Sequence, residues 1–162
     1  AIAWSSAGGS RVLTGVLRTA FNSQGGIAVL GWPTSDASCA GSVCSQSFQS
    51  ATVYDVSGSA FVVDARLAPA YSASGGPTGT LGVATTGLIS IAASGGGLAQ
   101  IFTGGAILSS PTGGVRVLTA AMRTAFNARG GIAVMGWPIS DMTCSAGTCT
   151  QSFRNGAVSI PQ

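Results

Sequence analysis

Gly8–Asp36 reads GGSRVLTGVLRTAFNSQGGIAVLGWPTSD, and the same stretch returns at Gly113–Asp141 as GGVRVLTAAMRTAFNARGGIAVMGWPISD. The two copies are identical at 21 of 29 positions. A more divergent copy lies between them and keeps the pairs Gly75-Gly76 and Leu81-Gly82. Repetition at a fixed period is the signature of a repeat protein. We therefore expect the function to belong to a surface that the repeats build together.

The copies divide the chain of 162 residues into one domain of repeats. We place the end of a preceding repeat at residues 1–7, repeat 1 at 8–56, a degenerate repeat 2 at 57–109 and repeat 3 at 110–162. Ala1-Ile2-Ala3-Trp4 alternates like a strand and matches Ala51-Thr52-Val53-Tyr54 in the hairpin of repeat 1. Trp4 and Tyr54 are therefore expected at equivalent positions. The strand that precedes this one in the other copies is missing, so we expect Ala1–Ser6 to be unpaired.

Each full repeat predicts a helix, a tight loop and a β-hairpin, which makes the fold class α+β. In repeat 1 the apolar residues from Val12 to Phe21 recur with the spacing of an amphipathic helix, which we place at about 11–23. Ser10 is the expected N-cap, and Gly25 is expected just after the last turn. The next residues, 27–30, are expected to be a short buried run. Residues 44–48 and 51–54 are expected to form the hairpin.

Four cysteines form two pairs, Cys39–Cys44 and Cys144–Cys149, at the same place in repeats 1 and 3. A zinc site would have to combine thiolates from separate repeats, because each copy holds only two and the chain has no histidine. One disulfide inside each repeat is therefore favoured, pinning its hairpin, and no metal is expected. Disulfides are typical of oxidising, extracytoplasmic compartments.

The composition argues against several classes of function. The chain has seven Arg, four Asp and no Lys, Glu or His, and its net charge of +3 is scattered rather than clustered, unlike a nucleic-acid-binding surface. No apolar run approaches the roughly 20 residues of a membrane span. A nucleophilic serine needs a neighbouring base, and histidine is absent. We therefore expect neither an enzyme nor a cofactor.

The combined motifs resemble the LGFP repeat family. Repeat 1 contains Leu30-Gly31-Trp32-Pro33, Ser35-Asp36 and Gln46-x-Phe48, with Trp in the family's Phe position, and repeats 2 and 3 contain matching pieces. The resemblance implies helix-plus-hairpin units packed around a pseudo-symmetry axis. It also implies a secreted, non-catalytic module of actinobacteria that anchors proteins, often enzymes, to a cell-wall polysaccharide such as arabinogalactan. The four cysteines are not part of the family pattern.

Two interpretations stay open for each candidate binding residue. The aromatic candidates either offer ring faces to sugars or plug the core, where large aromatic rings mostly lie. The charged candidates either bind sugar hydroxyls and acidic groups, or they cap turns and solvate a helix face. A carboxylate pair for catalysis would have to straddle two repeats. The candidates are Trp32, Trp137, Trp4, Tyr54, Asp36, Asp141, Arg18 and Arg123.

A second hypothesis is a structural cell-surface protein that assembles with itself into oligomers or filaments. The low charge weakens repulsion between copies. The strand predicted at Ala1–Ser6 could join the sheet of a neighbouring molecule by β-addition. Both hypotheses place the protein outside the cell, either secreted or in the cell wall.

Overall fold

The computed structural model describes residues 1–6 and 8–162. It is a mixed α/β structure of short helices and antiparallel sheets. Two compact units divide the chain: unit 1 is Ala1–Pro69 and unit 2 is Ala70–Gln162. None of the helices in the described ranges is long and apolar enough to cross a membrane.

Unit 1 contains a two-stranded sheet, two helices and a four-stranded sheet. Strand β1 pairs antiparallel with β2, and the larger sheet has the order β3-β4-β5-β6. In chain order the elements are β1 (Ile2–Ser5), β2 (Gly9–Val12), α1 (Gly15–Ser23), α2 (Gly26–Leu30), β3 (Ser38–Ala40), β4 (Val43–Ser47), β5 (Ala51–Val56) and β6 (Ser59–Asp64). Helix α3 (Ala68–Ala73) follows at the boundary.

Unit 2 contains a four-stranded sheet, two helices and a three-stranded sheet. Its sheets are β10-β9-β8-β7 and β11-β12-β13, and short 3-10 turns lie at Gly76–Thr78 and Ala93–Gly95. The elements are β7 (Ile89–Ile91), β8 (Gly97–Phe102), β9 (Gly105–Ser110), β10 (Gly114–Thr119), α4 (Ala120–Ala128), α5 (Gly131–Met135), β11 (Thr143–Ser145), β12 (Thr148–Phe153) and β13 (Gly156–Pro161).

A buried helix face and a buried hairpin face form the core of each unit. In unit 1 the ring of Phe21 on α1 stacks on Phe48 at the end of the hairpin, with 4.8 Å between the centroids. In unit 2 Phe126 and Phe153 stack in the same way at 4.5 Å. Burial of such aromatic surface is a major source of stability in a chain with so few charges.

The buried glutamine of the Gln-x-Phe motif joins three segments of its repeat. The Nε2 of Gln46 donates to the carbonyl oxygens of Val12 and Ser35, at 3.2 and 3.1 Å. Gln151 donates to the carbonyl oxygens of Val117 and Ser140 in the same manner. A buried amide must find such partners. The motif therefore connects the hairpin to the strand before the helix and to the turn after the Trp-Pro corner, which is Trp32-Pro33 in repeat 1 and Trp137-Pro138 in repeat 3.

The two predicted disulfides are present. Cys39 and Cys44 are directly opposite residues of β3 and β4, with their Cα atoms 4.0 Å apart. Cys144 and Cys149 occupy the same positions in β11 and β12. Each disulfide thus joins the first two strands of its sheet.

The start of the predicted helix is wrong. Residues 9–12 form strand β2, and the helix begins only at Gly15, with Thr14 rather than Ser10 as the extended N-cap residue. The apolar pair at 12 and 13 fits a strand as well as a helix, and pairing with β1 satisfies its backbone groups. At the other end of α1, Gly25 follows the last turn at the predicted position and adopts a left-handed conformation with φ of 93°.

Two more predictions for unit 1 are wrong. The run at 27–30 is helix α2, of which only Leu30 is buried. The strand at Ala1–Ser6 is not unpaired, because β1 pairs with β2 from Ile2↔Val12 to Ser5↔Gly9. The prediction overlooked β2 and so left β1 without a partner. The other edge of β1 faces no strand among the described residues.

Candidate functional site

A groove of about 370 Å³ lies in unit 1 between β1, helix α1 and the Trp-Pro corner. We call it groove 1. Phe21 and Ile27 form part of its apolar floor, and Arg18 and Asn22 lie four residues apart on α1 at its rim. Trp4 and Trp32 also line it. The groove therefore combines indole rings with hydrogen-bond donors.

A matching groove of about 350 Å³, groove 2, lies in unit 2. It is lined by Arg123, Phe126, Asn127 and Ile132, which are the counterparts of Arg18, Phe21, Asn22 and Ile27 in the repeat. Strands β7 and β8 add a further apolar wall with Ile89 and Ile91. The repeat thus builds the same arrangement of side chains twice.

Both grooves carry an arginine whose charge is not neutralised. Within the described ranges, neither Arg18 nor Arg123 makes a side-chain ion pair, and no Asp lines either groove. Arg66, in contrast, forms an ion pair with Asp64, with 2.7 Å between its Nε and the Asp64 Oδ1. An anionic or hydroxyl-rich ligand would therefore meet a free donor in each groove.

The predicted binding residues Asp36 and Asp141 lie outside both grooves. Each is exposed and accepts a hydrogen bond from an arginine of the preceding strand: Arg11 at 3.0 Å and Arg116 at 3.1 Å. The hydroxyls of Ser35 and Ser140 beside them donate to the Asp main-chain oxygens. Through these bonds the two carboxylates connect the turn after each Trp-Pro corner to the strand that precedes the helix, β2 in unit 1 and β10 in unit 2.

Two of the predicted aromatic binding residues are buried. The ring of Trp137 is completely buried, and its Nε1 donates to the carbonyl oxygen of Ala93 at 3.2 Å. Tyr54 is also buried and stacks on Phe61 at 5.4 Å. Of the two interpretations left open for Trp137 and Tyr54, burial therefore favours the core over a glycan-binding face.

The predicted match between Trp4 and Tyr54 is wrong by one residue. Ile2 lies opposite Val12, and Val53 lies opposite Val62, the equivalent residue of the next copy. Tyr54 therefore corresponds to Ala3, which faces the core of unit 1. Trp4 faces the other way and is 64% exposed.

Asn22 and Asn127 were not among the residues predicted from the sequence to bind a ligand. Both follow the groove arginine by four residues on an exposed helix face, in both copies. This i, i+4 repetition was the available signal, since residues so spaced are neighbours on a helix. Among the described residues no cluster of potential metal ligands is found.

The family model of the LGFP repeat matches residues 30–79 and 81–133, more than half of the chain. Each match begins at the leucine of a Leu-Gly pair, Leu30-Gly31 in the first and Leu81-Gly82 in the second. A search of the curated proteins finds no match.

Proposed function

Because this chain belongs to the LGFP repeat family, we propose that it is a non-catalytic, extracellular module that binds a cell-wall polysaccharide, with an arabinogalactan-like glycan as its ligand. The two disulfides are compatible with a location outside the cell, and we propose a secreted or wall-bound protein. The packing of its repeats around a pseudo-symmetry axis remains a prediction.

The observation that carries the proposal is the pair of matched grooves. Each groove presents a guanidinium and an amide next to an apolar floor. Sugars need this combination, because their C–H faces pack on apolar side chains while their hydroxyls need hydrogen-bond partners. Arg18 and Asn22 can supply those partners in groove 1, and Arg123 and Asn127 in groove 2.

Groove 1 carries more aromatic surface than groove 2. Trp4 is exposed and Trp32 is partly exposed, and both line groove 1. Trp137, the counterpart of Trp32, is buried and does not line groove 2. We therefore propose groove 1 as the stronger of two weak sites, and a repetitive polymer that engages both would bind with avidity.

The same proposal includes the absence of catalysis and of a cofactor. Three of the four carboxylates, those of Asp36, Asp64 and Asp141, are held in ion pairs with arginine. A general base for acyl or glycosyl transfer would need a carboxylate or imidazole at a groove. Neither groove holds one within the described ranges.

Co-sedimentation with insoluble arabinogalactan, alongside peptidoglycan, tests the proposed function. We expect the wild-type protein to sediment with arabinogalactan and Arg18→Ala to lose most of this binding. Arg154→Ala is the matched control, since this exposed arginine lies outside both grooves and its loss changes the net charge equally. Equal binding by the two variants would contradict the role of groove 1.

One observation favours self-assembly as a second candidate function. Ile2 and Val12 are directly opposite on the β1–β2 sheet, and with Trp4 they form an apolar patch that is more than half exposed at each residue. Analytical ultracentrifugation over a wide concentration range tests it. Filaments or oligomers that dissolve on Ile2→Ser would support assembly, and a monomer at every concentration would reject it.

A further inference from the structure

Trp32 and Trp137 start from the same backbone geometry. The glycine before each has nearly the same conformation, with φ 75 at Gly31 and φ 73 at Gly136. The carbonyl oxygen of each Trp accepts a hydrogen bond from the hairpin, from Gln49 N at 3.1 Å and Arg154 N at 3.0 Å. The difference in burial between the two rings therefore arises from what covers them.

Strands β7 and β8 form a hairpin in repeat 2, and this β7–β8 hairpin, called the repeat 2 hairpin below, covers Trp137. The carbonyl oxygen of Ala93 accepts the indole N–H at 3.2 Å, and the Ser94 hydroxyl donates to the carbonyl oxygen of Ile132 at 2.8 Å. Gly97 lies against the ring: a Cβ on this residue would be 2.6 Å from two indole carbons. A side chain at residue 97 would therefore clash with the buried ring, and also with the carbonyl oxygen of Ser109, which lies closer still.

In unit 1 the corresponding surface is open. Strand β9, which pairs with β8 in unit 2, corresponds to β1, and the equivalent edge of β1 has no partner among the described residues. Ile27, the counterpart of Ile132, is exposed, and so are Ile2 and Trp4. Unit 1 thus repeats the surface on which the repeat 2 hairpin packs in unit 2, and no strand among the described residues pairs there. We call this surface the seat.

We propose that this seat, formed by the edge of β1 with Ile27 and Trp32, is a docking surface for the β-hairpin of another LGFP repeat that has glycine in the place of Gly97. The visiting strand would extend the β1–β2 sheet, as β8 extends β9–β10. A carbonyl oxygen at its turn would accept the Trp32 indole N–H. The inference goes beyond glycan binding, since it assigns a protein partner to β1, Ile27 and Trp32, which also line groove 1.

The hairpins of repeats 1 and 3 do not meet this requirement. Gly97 lies three residues before the buried Gln100, and the same position holds Val43 before Gln46 and Thr148 before Gln151. A side chain there would occupy the space of the indole. Trp32 therefore selects a glycine hairpin of the repeat 2 type and rejects the two disulfide-bonded hairpins of this chain.

A graft of the repeat 2 hairpin tests the proposal. Residues 85–105 are joined directly in front of Ala1 of the full chain, because Gly105 is followed by Ala106, the counterpart of Ala1. The main-chain nitrogen of Ala1 already bonds to the carbonyl oxygen of Leu13, so the junction continues the existing strand pairing. The matched control carries the same graft with Gly97→Val.

The measurement is acrylamide quenching of indole fluorescence in a Trp4→Ser background, where Trp32 is the accessible indole because Trp137 is buried. We expect the glycine graft to reduce quenching several-fold and to shift the emission to the blue, and the Gly97→Val graft to leave both unchanged. Equal quenching with and without the glycine graft, or equal protection by both grafts, would overturn the proposal.

The ungrafted chain supplies one further outcome. If its Trp32 becomes protected from acrylamide as the protein concentration rises, a second copy of this chain fills the seat; loss of that protection in Gly97→Val agrees with the proposal, and unchanged protection in Gly97→Val overturns it. Quenching that is independent of concentration agrees with the proposal. None of these readouts depends on glycan binding, so failure here and failure of the proposed function are separate results.

Discussion

The indole nitrogen of Trp137 donates a hydrogen bond to the carbonyl oxygen of Ala93, 44 residues earlier in the chain, at 3.2 Å. The same ring rests against Gly97. The repeat pattern alone left open whether Trp137 binds a sugar or belongs to the core. These contacts make it a core residue of unit 2. Its counterpart Trp32 keeps part of its ring exposed.

Gly97→Val is expected to destabilise the protein by about 1–3 kcal/mol, the usual cost of overpacking a filled site. The added Cβ would lie too close to two indole carbons of Trp137 and to the carbonyl oxygen of Ser109. Urea unfolding measures the free energy of unfolding. Gly87→Val is the control, because Gly87 is exposed and no atom lies near its added Cβ. A similar effect of both substitutions would contradict the proposed contact.

Trp137→Ala is expected to cost about 3–5 kcal/mol, since it removes a fully buried ring and leaves a cavity. Trp4→Ala should change the free energy of unfolding by no more than about 0.5 kcal/mol, because the ring is exposed. Thermal unfolding of both variants checks this asymmetry. An equal loss of stability would mean that Trp4 is also a core residue.

These two tryptophans show how far sequence reasoning could reach. The repeats, the two disulfides and the hairpin that follows each Trp-Pro corner were predictable, because they depend on local spacing. The burial of Trp137 was not, since it is decided by a glycine of the previous repeat. Strand β2 was missed for a similar reason: its residues also fit a helix, and the pairing with β1 decides between the two.

The candidate site was predicted only in part. Arg18 and Arg123 were selected from their matched positions, and both lie at the grooves. Asp36 and Asp141 were selected on the same ground, yet an ion pair with the preceding strand occupies each of them. A matched position alone does not distinguish a side chain that holds the repeat together from one that faces a ligand.

Removal of the first disulfide by Cys39→Ser with Cys44→Ser is expected to cost about 2 kcal/mol, because the closed loop is short. The corresponding change at Cys144 and Cys149 should cost more. Cys149 is buried, so serine would place a hydroxyl in an apolar environment, whereas Cys44 is only half-buried. Melting temperatures of the two double variants give the comparison, and a reversed order would contradict the burial argument.

Stability is expected to fall in acid through Asp64. Its partial burial by itself raises the pKa of this carboxyl, but the hydrogen bonds and charge of Arg66 more than offset burial and leave the pKa below its usual value of 3.8. A lowered folded-state pKa stabilises the fold above the unfolded-state pKa, and this contribution is lost as the pH falls through the folded-state value. Arg66→Ala should therefore flatten the decline of melting temperature below about pH 4. An unchanged pH profile would show that the pair contributes nothing.

The central claim is that two matched grooves bind one wall polysaccharide. Isothermal titration of soluble arabinogalactan into wild-type protein, Arg18→Ala, Arg123→Ala and the double variant tests it most directly. The account predicts weaker binding for each single variant, a larger loss for Arg18→Ala, and no measurable binding for the double variant, with unchanged melting temperatures and full binding by Arg154→Ala. Wild-type affinity in the double variant would contradict the claim.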